Sequence, residues 1–482
     1  MSGEEQAPLP QRNPRVRLAP PKSNGSNGNG NGNGAHAAMI AVGDAAAAAI
    51  ASIPRPTPEF VESAKRGLYY GYYLVAVAFV AQFVSAGSQN YVTGPFLKPM
   101  TTELDWTRSE YQLARTLGQF AMALIGLYVG GLVDRKGGKL LMQGGAVVLG
   151  ASLFATSFVQ TQWQWLLING LAVTTGAALI GNLVVNVTLS KWFVEKRGRV
   201  VGFSSMGVSF AGVALVPAVT VLVDSVGWRA SWQVLGVAIF LLIFPVSFLM
   251  RRAPEDYGLH PDGKSDAEVA QGGGRAAAAD RASSMTRGQA LRTSSFYLIV
   301  FAYGFGALSI GVMLAQTVPY MTDAGHSRTF AAFMITVTSI PAMLTKPLWG
   351  WLVDKVDARW LSAAGFLINA VSMVLIVFSV QSNITSLVVI SFFLLGFGWG
   401  GLIPLQEVVW ASFYGRRYLG AVRSAGLPFS LIVGASAPFL STLYFDRIGN
   451  YDGAFFAIAA LAILATVLIL LARKPTRVET AY

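Results

Sequence analysis

Cysteine is missing from all 482 residues, so the chain has no disulfide framework, no thiol nucleophile and no thiolate metal site. Histidine is almost as scarce. Three occur, His36, His260 and His326, all outside the long apolar segments, which leaves nothing from which to build a histidine-based metal site. Charge is thin as well: Asp, Glu, Lys and Arg make up 12% of the residues, against roughly 25% in soluble proteins. No cluster of nucleophile, base and metal ligand can be assembled inside the apolar stretches. An enzyme is therefore not expected, and neither is a cofactor or a bound metal.

What fills the chain instead is apolar surface. Hydrophobic residues make up 53%, in runs of about 20 that are each long enough to cross a bilayer as a helix. Twelve such spans are expected near 67–89, 109–133, 139–158, 163–189, 199–223, 231–250, 295–318, 329–353, 361–380, 385–412, 420–444 and 454–471. The fold class is thus all-α, a polytopic membrane protein with two six-helix bundles at 67–250 and 295–472. A mostly polar loop at 251–294 divides them. Residues 1–66 read as a disordered tail, because their run SNGSNGNGNGNG offers no apolar surface to offset the entropy of ordering; 473–482 form a second short tail.

The formal charge of +12 suggests a nucleic-acid partner only until its distribution is followed. With the N-terminus inside, inner segments hold about 28 of the 36 Lys and Arg residues and outer segments about five. That imbalance is a topology signal. It predicts a cell-membrane protein with both termini in the cytoplasm, and no nucleic acid among its partners.

The halves repeat. Adding 220 to the residue number carries Pro99 to Pro319, Glu103 to Asp323 and Arg108 to Arg328. The same offset carries Asp134 to Asp354, Arg135 to Lys355, and Phe193 to Phe413. A single gapless register over about a hundred residues predicts parallel repeats around an axis normal to the membrane, with a binding site between them near the midplane. The segment GGLVDRKGGK, Gly130 to Lys139, resembles the signature loop between the second and third helices of the major facilitator transporters. Its glycines permit close helix approach, Asp134 suits the positive end of a neighbouring helix, and Arg135 can meet an acid. The resemblance implies gating for Gly131, Asp134 and Arg135, with Asp354 as the repeat partner. FLKPMTTELDWTRSE, VGWRASWQVLG, PEDYGLHPDG, TVPYMTDAGHS and TKPLWGWLVDK together resemble the monocarboxylate and oxalate/formate-type branch, whose members move small organic anions with protons or in exchange.

One charge does not repeat. Lys346 aligns with Gly126, and it lies eight residues before Asp354, roughly 12 Å above the inner surface at 1.5 Å per residue. On a helix that descends from outside, its side chain leans toward the midplane rather than the nearer headgroups. Relatives commonly carry there an arginine that binds the substrate carboxylate, so the resemblance implies a cationic anchor, here a point charge rather than a planar fork. Gln316 stands where many relatives have histidine, and Ala342 where monocarboxylate transporters tend to have aspartate. Tyr91, Gln316, Tyr320 and Trp399 can supply donors and an aromatic wall, and Asn182 and Asn186 can face the same cavity or bond a neighbouring helix. Glu407 can pair with Lys346, take up a proton for coupling, or meet Arg416 or Arg423. Arg115 and Arg423, by the same test of lean, are expected to reach the headgroups. The expectation is a monomeric secondary transporter for a small organic anion. A drug or hydrophobic-compound exporter on the same fold, and a receptor that binds without transport, are the rivals.

Overall fold

The computed structural model describes residues 68–475. The N-terminal segment read as disordered lies outside them, as does most of the C-terminal tail. Among the described residues there are helices and no strands. The long helices are α1, Gly71–Glu103, α2, Arg108–Lys136, α3, Lys139–Thr156, and α4, Gln162–Trp192. A continuous run, Arg197–Ser247, breaks at Gly227, whose φ of 80° is left-handed; the part before it is α5 and the part after it α6. Then come α7, Ser294–Asp323, α8, Thr329–Val353, α9, Ala358–Gln381, α10, Thr385–Tyr414, α11, Leu419–Ile448, and α12, Asp452–Leu471.

Local chemistry sets the helix ends. Thr107 caps α2 in a reciprocal box with Glu110, and Thr161 does the same for α4 with Gln164. Gly137, Gly415 and Gly449 terminate α2, α10 and α11 at positive φ. Two ends differ from expectation. α1 does not stop near residue 89 but continues to Glu103 through a π-helical turn at Gly87–Tyr91. The connection expected around 224–230 is helical on both sides of Gly227.

The connections fall into two groups, even-to-odd ones at one end and odd-to-even ones at the other. One end of the molecule, the basic end, gathers the loops around Arg135, Lys196, Arg252, Asp354 and Arg416. The opposite end gathers Glu103, Ser157, Arg229, Asp323 and Asp452. Ion pairs and hydrogen bonds stay within each group, such as Arg229 to Glu103 at 3.0 Å and to the Ser157 carbonyl at 2.8 Å. Between the ends the helices present an apolar exterior that includes Phe120, Leu124, Phe154, Phe378 and Leu471.

Lipid supplies no hydrophobic drive for helix association, so close backbone approach matters. α2 crosses α11 where Gly130 meets Gly420, and α8 crosses α5 where Gly350 meets Gly198. At each of the four, a Cβ would overlap the facing glycine's carbonyl oxygen. The two crossings are repeat equivalents, and they hold the halves together at the basic end.

Candidate functional site

Lys346 sits where α8 is interrupted. Pro347 has no N–H to continue the ladder, and the helix divides between Leu344 and Lys346. The Lys346 carbonyl lies against Gly202 of α5, where an added Cβ would come within 2.6 Å of the oxygen. Its amine then turns away from the basic end and donates to the Ser209 hydroxyl, two turns further along α5. The residue is 3% exposed. No carboxylate among the described residues lies within ion-pair distance of that amine. A buried ammonium held by one hydroxyl, at the seam between the two halves, is a cation without a counter-charge.

Toward the basic end lies a second polar group that also joins the halves. Glu407 of α10 is fully buried and pairs with Arg423 of α11, which is 6% exposed. The same carboxylate accepts from Asn186 of α4 at 3.1 Å. Asn186 in turn donates to Asn182 and accepts from Gln82 of α1 at 3.3 Å, and Gln82 donates to Ser204 of α5 at 3.1 Å. Of the options open to Glu407, the structure has it paired with Arg423 and not with Lys346. Arg423 therefore does not reach the headgroups as its lean suggested, because a carboxylate one helix away competes with the interface.

The other candidate residues divide. Tyr91 lies at the π-helical turn of α1 with its ring over Gly212 of α5, three residues beyond Ser209. Trp399 donates from its indole to Ser309 of α7 at 3.0 Å. Gln316 is buried on α7. Tyr320 packs away from the seam: its hydroxyl donates to Asp452 at 3.1 Å, and its ring meets Phe455 edge-on within the second half.

At the basic end the two repeat-related aspartates occupy equivalent places. Asp134 accepts from the Ala421 N–H at 2.8 Å, at the start of α11, and pairs with Lys191 at 2.9 Å. Asp354 accepts from the N–H groups of Gly198 and Arg199, at 2.7 and 3.1 Å, at the start of α5, and from the Arg199 side chain at 3.0 Å. Each carboxylate from one half thus caps a helix start in the other, where the dipole favours negative charge. Gly131 stands beside this crossing with open space around its Cα. The Arg135 side chain is exposed, with no ion pair among the described residues; its carbonyl accepts from Arg252 at 3.4 Å.

Composition and repeat did not disclose what the central loop does. Asp262 accepts from the N–H groups of Val194, Glu195 and Lys196, at 3.0–3.2 Å, fastening the loop after α6 to the α4–α5 turn. Asp280, on the short helix Arg275–Ala282, meets Arg197 of the first half at 3.3 Å and Arg416 of the second at 3.6 Å. Arg416 also donates to the Lys191 carbonyl at 2.7 Å and pairs with Glu255 at 2.5 Å. Ser209, Lys191 and Asp280 carried no local signal: a lone serine in an apolar helix and charges in a basic loop look ordinary until the chain is folded.

The family model described as Major Facilitator Superfamily matches residues 74–327 and 296–481. The oxalate:formate antiporter of Oxalobacter formigenes is 25% identical over 358 residues, covering 72% of this chain and 78% of its own. The MFS-type transporter pytF of Aspergillus terreus is 24% identical over 299 residues, covering 60% of this chain and 91% of its own. Among solved structures, the proton:xylose symporter XylE superposes with a TM-score of 0.68 at 12% identity, covering 84% of this chain and 96% of its own. FucP in the outward conformation gives 0.61 at 14% identity, covering 83% and 99%.

Proposed function

The chain belongs to the Major Facilitator Superfamily, and on that premise we propose that this multi-pass membrane transporter carries a small organic anion, a mono- or dicarboxylate, by alternating access. The observation that carries the reading is the Lys346 amine: 3% exposed, at the seam between halves, and bonded to the Ser209 hydroxyl. Burying an ammonium costs several kcal/mol unless an anion or water offsets it. A carboxylate cargo supplies that missing charge. The relation to an oxalate:formate antiporter favours the same chemistry and exchange, with proton symport and uniport as the rival modes.

Gln316, Trp399, Tyr91 and Asn182 are the neutral wall of the proposed chamber, and Tyr320 supports it from behind through Asp452. Glu407 is the proposed coupling group, since a proton on it would release Arg423 and weaken a contact that spans the halves. Asp134 and Asp354 close the basic end, which we assign to the cytoplasm from the excess of Lys and Arg there. In the cycle, opening that end detaches each aspartate from the helix start it caps, and the chamber around Lys346 changes sides.

The test is uptake of oxalate and formate into proteoliposomes, with and without a pH gradient and with either anion trapped inside. Lys346→Gln is expected to reduce uptake at least a hundredfold, with the protein still monodisperse. Undiminished flux in that variant, or flux confined to uncharged hydrophobic compounds, would put a drug or hydrophobic-compound exporter ahead of this reading.

A further inference from the structure

We infer that the first half carries a second anion station, formed by Arg115, Gln89 and Asn169, apart from the Lys346 amine and nearer the opposite end. The inference deepens the organic-anion reading and rests on it. Arg115 lies seven residues into α2, about 10 Å from its start. Sequence reasoning gave it to the headgroups, but the helix wheel does not. The lipid-facing stripe of α2 is Leu113, Phe120 and Leu124, each 46–63% exposed. Arg115 falls on the other side, in line with Gly126, which faces Leu427 of α11. Its side chain lines a pocket among α1, α2 and α4 of the first half.

The pocket there is rich in donors. Arg115 donates to the Asn90 amide oxygen at 3.3 Å, and among the described residues no carboxylate lies within ion-pair distance of it. Asn169 of α4 is 8% exposed and lines the same pocket, yet its amide nitrogen has no partner among the described residues. The buried amide nitrogen of Gln89 on α1 is equally unpartnered. A buried donor left unmade costs about 1–3 kcal/mol, and two elements, α1 and α4, each bring one to the pocket that Arg115 of α2 also lines. A guanidinium with two free amide donors is a receptor for a carboxylate, which accepts from all three at once. The free volume is ≈ 20 Å³, about one water, so only the tip of a ligand enters and the rest must project outward.

Its placement suggests sequential use. Asn90, the present partner of Arg115, adjoins Tyr91, whose ring covers Gly212, and Ser209 one turn back on α5 holds Lys346. Both cations border the seam of α1 and α5. An anion arriving from the opposite end meets Arg115 first and Lys346 second.

The experiment is a thermal-shift titration of the purified full chain with oxalate, alongside uptake kinetics. Arg115→Gln is expected to raise the half-saturating oxalate concentration for uptake at least tenfold. In a Lys346→Gln background, oxalate should still stabilise the protein, and adding Arg115→Gln should remove that stabilisation. In the same Lys346→Gln background, Asn169→Asp guards against misfolding: an acid in the pocket of Arg115 should raise the midpoint without ligand while abolishing the oxalate shift. Oxalate stabilisation that persists after both Lys346→Gln and Arg115→Gln would overturn the station, as would its complete loss with Lys346→Gln alone. Transport by Lys346→Gln at the wild-type rate would instead sink the Lys346 reading, with the Arg115 comparison standing by itself.

Discussion

Removing the Glu407 carboxylate should expose how the buried network is balanced. Glu407→Ala leaves the Arg423 guanidinium, 6% exposed, with no counter-charge and deprives Asn186 of an acceptor. Breaking a buried pair from one side costs about 3–5 kcal/mol, because the remaining charge stays desolvated. Arg423→Leu should cost a similar amount for the opposite reason. The double variant Glu407→Leu with Arg423→Leu removes both charges, and replacing a whole buried pair by apolar groups is neutral or stabilising by about 1–4 kcal/mol. Asn186→Ala, which keeps the pair, should fall lower, about 1.5–3 kcal/mol for one hydrogen bond to a charged group. The assay is the thermal midpoint of purified protein in one detergent at one pH, read as a double-mutant cycle. The reasoning is refuted if the losses of the two single variants add in the double, or if Glu407→Ala unfolds at the wild-type temperature.

Two further outcomes concern the basic end. Since the chain has no cysteine, Ser205→Cys is a clean reporter: Ser205 is fully buried on the α5 stripe that carries Gly198 and Gly202. Asp354→Ala, which uncaps α5 and frees Arg199, should increase maleimide labelling of that cysteine at least fivefold, and unchanged labelling would count against Asp354 as a closing contact. Asp280→Asn should raise the same labelling two- to threefold while leaving the thermal midpoint within a few degrees, because its two arginines keep other partners in Ser190, Lys191 and Glu255. A large fall in midpoint without extra labelling would make Asp280 a folding contact only.

Much of the architecture could be read before any coordinates. The gapless register between Asp134 and Asp354 anticipated that both would cap helices, and each does so on the opposite half. The site was less legible. The lean of helical side chains placed Lys346 correctly relative to the basic end, yet the same rule misplaced Arg115 and Arg423. Lean says how high a charge reaches, not which way it faces around the helix. Arg115 turns inward because residues 113, 120 and 124 claim the lipid side, and Arg423 is captured by Glu407. Tyr320 looked like an aromatic wall and proved to be bonded to Asp452.

Hydropathy and the repeat by themselves determined that this chain forms helices across a bilayer in two matched halves, because in hydrocarbon every backbone group must be bonded within its own segment. Which cation faces a carboxylate and which a neutral hydroxyl or amide was decided only by tertiary packing. Helix rotation is set by where glycine lets backbones touch, as at Gly130 with Gly420 and Gly350 with Gly198. Those contacts join residues about 150 to 290 positions apart, a separation at which no local pattern reaches.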